Sequence, residues 1–152
     1  MSASKRLAEL GITLPEVPTP VASYQPAVRV DNRIYVSGQV PRLDGELTAT
    51  GRLGADVSVQ AGAEAAEVCA LNAIAAAAEV AGGIDNITQV IKVVGYVAAT
   101  PDFTQQPQVI NGASDLIGKI FGDAGAHARA AVGVASLPLG VPVEVEMIVA
   151  VK

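Results

Sequence analysis

The stretch SVQAGAEAAEVCALNAIAAAAEV, Ser58–Val80, decides the reading of the fold. Alanine, the strongest helix former, dominates it; Ser58 is placed to cap it and Gly82-Gly83 to end it. Glu64, Glu67 and Glu79 supply wet positions, while Ala66, Ala70, Ala73, Ile74, Ala77 and Val80 form an apolar stripe. Side chains that small predict close approach to a sheet. Asn72 and Glu79 interrupt the run before it reaches the length of a membrane span, so no membrane association is expected.

C-terminal to this helix, Thr88–Ala98 is rich in Val and Ile and reads as a buried strand. Pro101-Asp102 turns the chain, and Pro107–Phe121 reads as a second helix weakened by Gly112 and Gly118. Ala128–Ala135 and Val141–Val151 read as two strands of a hairpin, joined by Ser136-Leu137-Pro138-Leu139-Gly140. On the N-terminal side, Val21–Val30 and Arg33–Val40 read as strands around a two-residue turn at Asp31-Asn32. Pro41–Gly54, with a turn at Asp44-Gly45, holds a short third strand and a loop. Ser2–Leu10 reads as a short helix stopped by Gly11, followed by an extended strap through Pro15, Pro18 and Pro20. The order β-β-(β)-α-β-α-β-β, with hairpins at both ends, predicts an α+β fold: a mixed sheet with both helices on one face. No repeat or second composition regime appears, so residues 1–152 are read as one domain, with 1–20 as the N-terminal helix and strap.

The opposite sheet face is then uncovered, and exposed apolar surface costs about 25 cal/mol per Å². Apolar residues make up 51% of the chain and charged residues only 16%, which favours burial of that face against further copies of the chain. A net charge of −5 and a pI near 4.7, without a basic tract, argue against nucleic-acid binding. Cys69 is the only cysteine and no signal peptide is visible, so a reducing, cytoplasmic setting is expected. One histidine and one cysteine exclude the usual zinc sites, and no phosphate-binding glycine loop or nucleophile elbow is present. Chemistry has to come from carboxylates, arginine, hydroxyls and backbone groups.

In Val143-Glu144-Val145-Glu146-Met147 the period is two, so both glutamates project from one face. Arg129 is the lone charge in an Ala- and Val-rich strand, and a hairpin turning near Pro138-Leu139 would set it opposite residues 144–148. Spacing leaves two readings open: a structural ion pair, or an arginine whose planar fork takes a substrate carboxylate.

Tyr24, the run Ile34-Tyr35-Val36-Ser37-Gly38-Gln39-Val40-Pro41, Ala128-Arg129-Ala130-Ala131-Val132, Leu137-Pro138 and Val143-Glu144-Val145-Glu146 together resemble the YjgF/RidA family. The resemblance runs from about Pro20 to Lys152, with Asp102-Phe103 and Asn111 between its halves, and is similar to the longer, endoribonuclease-like branch. It implies a chorismate-mutase-like fold and a homotrimer with sites in the clefts between subunits. It also implies cofactor-independent hydrolysis of 2-enamine and 2-imino acids to 2-keto acids and ammonia. By the same resemblance Arg129 binds the substrate carboxylate and Glu144 positions or activates water; Tyr24, Ser37, Gly38 and Asn111 shape the pocket. Two positions depart from the family pattern. Ala131 stands where cysteine is frequent, which weakens a thiol role. His127 stands where proline is commoner and reads as a surface or interface residue, with substrate contact as the alternative. Competing readings are a non-catalytic trimer binding a small carboxylate, a ribonuclease, and a chorismate mutase permitted by fold alone.

Overall fold

The computed structural model describes residues 1–19 and 22–152. The elements run α1 (Ala3–Leu10), β1 (Ala27–Val30), β2 (Arg33–Gln39), β3 (Arg42–Leu43), β4 (Glu46–Leu47), α2 (Val59–Ala81), β5 (Ile87–Ala98), α3 (Gln106–Phe121), β6 (Ala128–Val134) and β7 (Val143–Val151). The Ser58 side chain accepts from the Ala61 N–H, and Gly82 closes α2 in the left-handed conformation. Ser2 caps α1 in the same way, and Gly11 ends it. The strand expected from Val21 begins at Ala27; Val21 and Pro20 lie outside the described residues. Asp44 and Gly45, both at positive φ, turn β3 into β4 as a separate two-stranded hairpin, so this segment adds no strand to the main sheet.

The main sheet has the order β1-β2-β7-β5-β6. Alternation along β7 puts Val143, Val145, Met147, Val149 and Val151 into the core and turns the residues between them to the other face. α2 packs over β2 and β7, and α3 over β5 and β6, so both helices cover one side as expected. α2 passes the usual length and hydropathy test for a membrane span, yet it is the central core helix, with Ala66, Cys69, Ala70, Ala73, Ile74 and Ala77 fully buried. The strap after α1 lies against it, with Ile12, Leu14 and Val17 packed on the core. The opposite face carries Val28, Val30, Tyr35 and Val132, all exposed.

One expectation fails. β6 and β7 do not form a hairpin. β6 pairs parallel with β5, and β7 lies on the other side of β5, antiparallel to it and to β2. The cause is the helix before β6. A parallel neighbour requires a long crossover, which α3 supplies, so β6 returns beside β5 at the sheet edge. The segment Ser136–Pro142 then passes over the end of β5, where Ala98 N–H donates to the Pro142 carbonyl.

Candidate active site

Arg129 lies on edge strand β6, level with Val93, and Val93 faces the helices and is fully buried. Its guanidinium accordingly reaches α3. Nη1 donates to Asn111 Oδ1 at 2.8 Å and to Ser114 Oγ at 3.1 Å. Ser114 in turn meets His127 Nε2 at 2.9 Å, while His127 Nδ1 lies 2.6 Å from the Gly125 carbonyl oxygen. Asn111 and Ser114, three residues apart on α3, share one helix face. His127 immediately precedes β6, two residues before Arg129, and both side chains reach Ser114 on the helix-covered face of the sheet. Further along that face, Gly133 lines a cavity of about 350 Å³ with Arg52, Phe103 and Gln106.

Glu144 belongs to a second group. It pairs with Tyr96 across β7 and β5, on the open face of the sheet, and is partly buried. Tyr96 donates its hydroxyl to Glu146 Oε1 at 3.1 Å, so both glutamates and this tyrosine share one surface. Burial pushes the Glu144 carboxyl above its ordinary range, and the charge of Glu146 adds to the effect. Gly38 faces this carboxylate so closely that a Cβ there would run into Glu144 Oε1. A break in the β2–β7 register between Val36 and Gln39 brings Gly38 to this position. Ser37 donates its hydroxyl to the Gln25 carbonyl at 2.6 Å and its N–H to the Pro26 carbonyl at 2.9 Å. These bonds fasten the segment that presents Tyr24, whose ring is exposed.

The residues singled out in the sequence therefore form two clusters: Arg129 with Asn111, and Glu144 with Ser37, Gly38 and the Tyr24 segment. The expected juxtaposition of Arg129 with residues 144–148 is not found. Across β5, Arg129 is level with Met147, two strands and about 10 Å away. Glu144 points from the opposite face. The ion-pair reading of Arg129 loses its support, because among the described residues both hydrogen-bond partners of the guanidinium are neutral. Ser114 escaped the sequence reading, although its i, i+3 spacing from Asn111 was the available signal. Cys69 is sealed in the core and burial pushes its thiol well up, so it offers no nucleophile. Among the described residues no cluster of three His, Cys, Asp or Glu side chains is arranged to hold a metal ion.

Residues 4–150 match the family described as "YjgF/chorismate mutase-like, putative endoribonuclease". The chain belongs to this family. Protein TCP17 of Trypanosoma cruzi is 43% identical over 144 residues, 94% of this chain and 90% of that protein. The crystal structure of Atu1372 from Agrobacterium tumefaciens, a protein of unknown function, is 46% identical with a TM-score of 0.91. It spans 99% of this chain and 92% of its own. Yeast Mmf1 is similar at 31% identity and a TM-score of 0.63, over 90% of this chain and 93% of its own. The likeness to Atu1372 thus takes in the N-terminal helix and strap, as expected for a longer branch of the family.

Proposed function

We propose that the chain is a cofactor-independent hydrolase of 2-imino and 2-enamine acids, releasing 2-keto acids and ammonia. We also propose that it works as a homotrimer with active sites between protomers. The observation that carries this reading is the division of the site. A guanidinium held by neutral partners on one sheet face, and a carboxyl of raised pKa on the other, cannot meet one small substrate within a single protomer. Packing the apolar open face of one protomer against its neighbour would cover Val28, Val30, Tyr35 and Val132 and give the two clusters a route to a common cleft.

In that cleft the Arg129 fork holds the substrate carboxylate in two parallel bonds, which places the imine carbon. The protonated imine is electrophilic without a metal. A neighbouring protomer's Glu144 accepts a proton from water as the oxygen adds to carbon, giving a carbinolamine. Return of that proton to nitrogen makes ammonia the leaving group, and as the C–N bond breaks the Glu144 carboxylate takes the carbinolamine hydroxyl proton, leaving the keto acid. A carboxylate that burial makes more basic than an exposed glutamate suits this task. Such assistance contributes about 10²–10⁴-fold.

The test couples purified protein to an amino-acid oxidase that generates imino acids, and times 2-keto acid release across several side chains. Acceleration that Glu144→Gln abolishes is expected. Binding of 2-keto acids without acceleration would make the chain a carboxylate-binding trimer instead. Cleavage of RNA that Glu144→Ala removes would restore the ribonuclease reading, against which the acidic charge stands.

A further inference from the structure

We infer that Ser114 and His127 are positioning residues for Arg129, locking its guanidinium so that the Nε–Nη2 edge is the one offered to the substrate. This rests on the reading of Arg129 as the carboxylate-binding group. The direction of every bond in the chain follows from donor chemistry. The Gly125 carbonyl only accepts, so His127 Nδ1 carries a proton and donates to it at 2.6 Å. In the neutral ring Nε2 is then the acceptor, and the Ser114 hydroxyl donates to it at 2.9 Å. With its one proton committed, Ser114 Oγ meets Arg129 Nη1 through a lone pair at 3.1 Å. Asn111 Oδ1, also an acceptor, takes the other Nη1 hydrogen at 2.8 Å.

Both Nη1 hydrogens are thus engaged, and among the described residues every bond from this guanidinium leaves from Nη1. What remains is the Nε–Nη2 edge, the pair of parallel donors that matches a carboxylate. A free arginine side chain samples many rotamers and loses that entropy when it is held. Holding it before substrate arrives moves that cost from binding to folding. His127 lies two residues ahead of Arg129, just before β6 begins, and its ring is fixed by the turn at Gly125. The histidine therefore reports the geometry of the turn to the arginine through Ser114, a role that a proline at this position could not fill.

His127 is the only histidine, so its ring nitrogens are assigned without ambiguity in ¹⁵N-labelled protein. At pH 8 the Nδ1-protonated tautomer is expected, with an Nε2 resonance that moves on Ser114→Ala. An Nε2-protonated ring, or an Nε2 resonance indifferent to Ser114→Ala, overturns the proposal. With oxidase-generated imino acids, Ser114→Ala and His127→Phe should each raise KM about tenfold, the loss of one hydrogen bond to a charged group, and leave kcat nearly unchanged. Ser114→Thr keeps the hydroxyl and should restore KM. Reduced kcat at unchanged KM, or threonine as poor as alanine in a variant that melts like wild type, assigns these residues no positioning role. If wild-type protein hydrolyses no imino acid, the functional reading falls alone, and the nitrogen resonances still decide the relay.

Discussion

At the scale of single residues, the partners of Arg129 separate its roles. An arginine that balances a carboxylate leaves a stranded charge when removed, and the fold suffers. Here the partners are Asn111 and Ser114, so Arg129→Ala should melt within a few degrees of wild type. Its kcat/KM should fall by roughly 2–5 kcal/mol in transition-state binding, and Arg129→Lys should not rescue it, because an ammonium lacks the fork. A sharply destabilised alanine variant with a fully active lysine variant would make the arginine structural. Glu144 gives a second expectation with a sign. A general base works only when ionised, so activity rises with pH through the raised Glu144 pKa and is lost below it. Glu146 adds to that shift by repulsion, so Glu146→Gln should move the acid limb of kcat/KM to lower pH. A limb that stays in place, or moves up, would remove Glu144 as the titrating group. Gly38 supplies a third test. Its missing Cβ leaves room for the Glu144 carboxylate, so Gly38→Ala should displace a flexible side chain, reducing kcat with little change in melting temperature.

Among the elements, the α2–α3 contact shows how one substitution can change sign within a single helix. Gly112 approaches the backbone of α2 so closely that a Cβ would run into the Ala63 carbonyl. A helix backbone cannot swing aside as a side chain does, so Gly112→Ala should destabilise by about 1–3 kcal/mol despite better helix propensity. At Gly118, on the same helix, a Cβ would meet nothing within 4 Å, so Gly118→Ala should stabilise by up to about 1 kcal/mol. Denaturant midpoints of the two variants check the pair, and shifts of equal sign would contradict the packing account. Both glycines look alike in the sequence, where they read only as weak points of a helix; the distinction belongs to packing. The same limit explains what was and was not legible elsewhere. Caps and periodicity located α1, α2, β5 and α3, because those signals are local. The sequence does not reveal the pairing of β6, because a five-residue link resembles a hairpin loop. Its true neighbour is chosen by the α3 crossover, which acts over the distance from β5 to β6. The two-residue period still fixes which face each candidate residue occupies, whatever strand lies beside it. It does not fix their grouping, which depends on strand order.

For the whole molecule, strand order turns into a statement about assembly. With β5 between β6 and β7, Arg129 and Glu144 face opposite sides of one sheet, and the open side carries exposed Val28, Val30, Tyr35 and Val132. If each site draws its arginine from one protomer and its glutamate from the next, two inactive variants should repair one another. A chain with Arg129→Ala still supplies Glu144, and a chain with Glu144→Ala still supplies Arg129. Co-refolded at equal amounts into random trimers, an arginine-bearing protomer is followed by a glutamate-bearing one at about a quarter of the interfaces, so about a quarter of wild-type activity should return. Each variant alone, or the two mixed without exchange of subunits, should stay inactive, and native mass measurement should give three chains per particle before and after mixing. A site contained within one protomer has no such route, because every hybrid still lacks one group in each chain. A stable monomer, or hybrid trimers as inactive as their parents, would therefore remove the shared cleft, and with it the reason for the two clusters to lie on opposite faces.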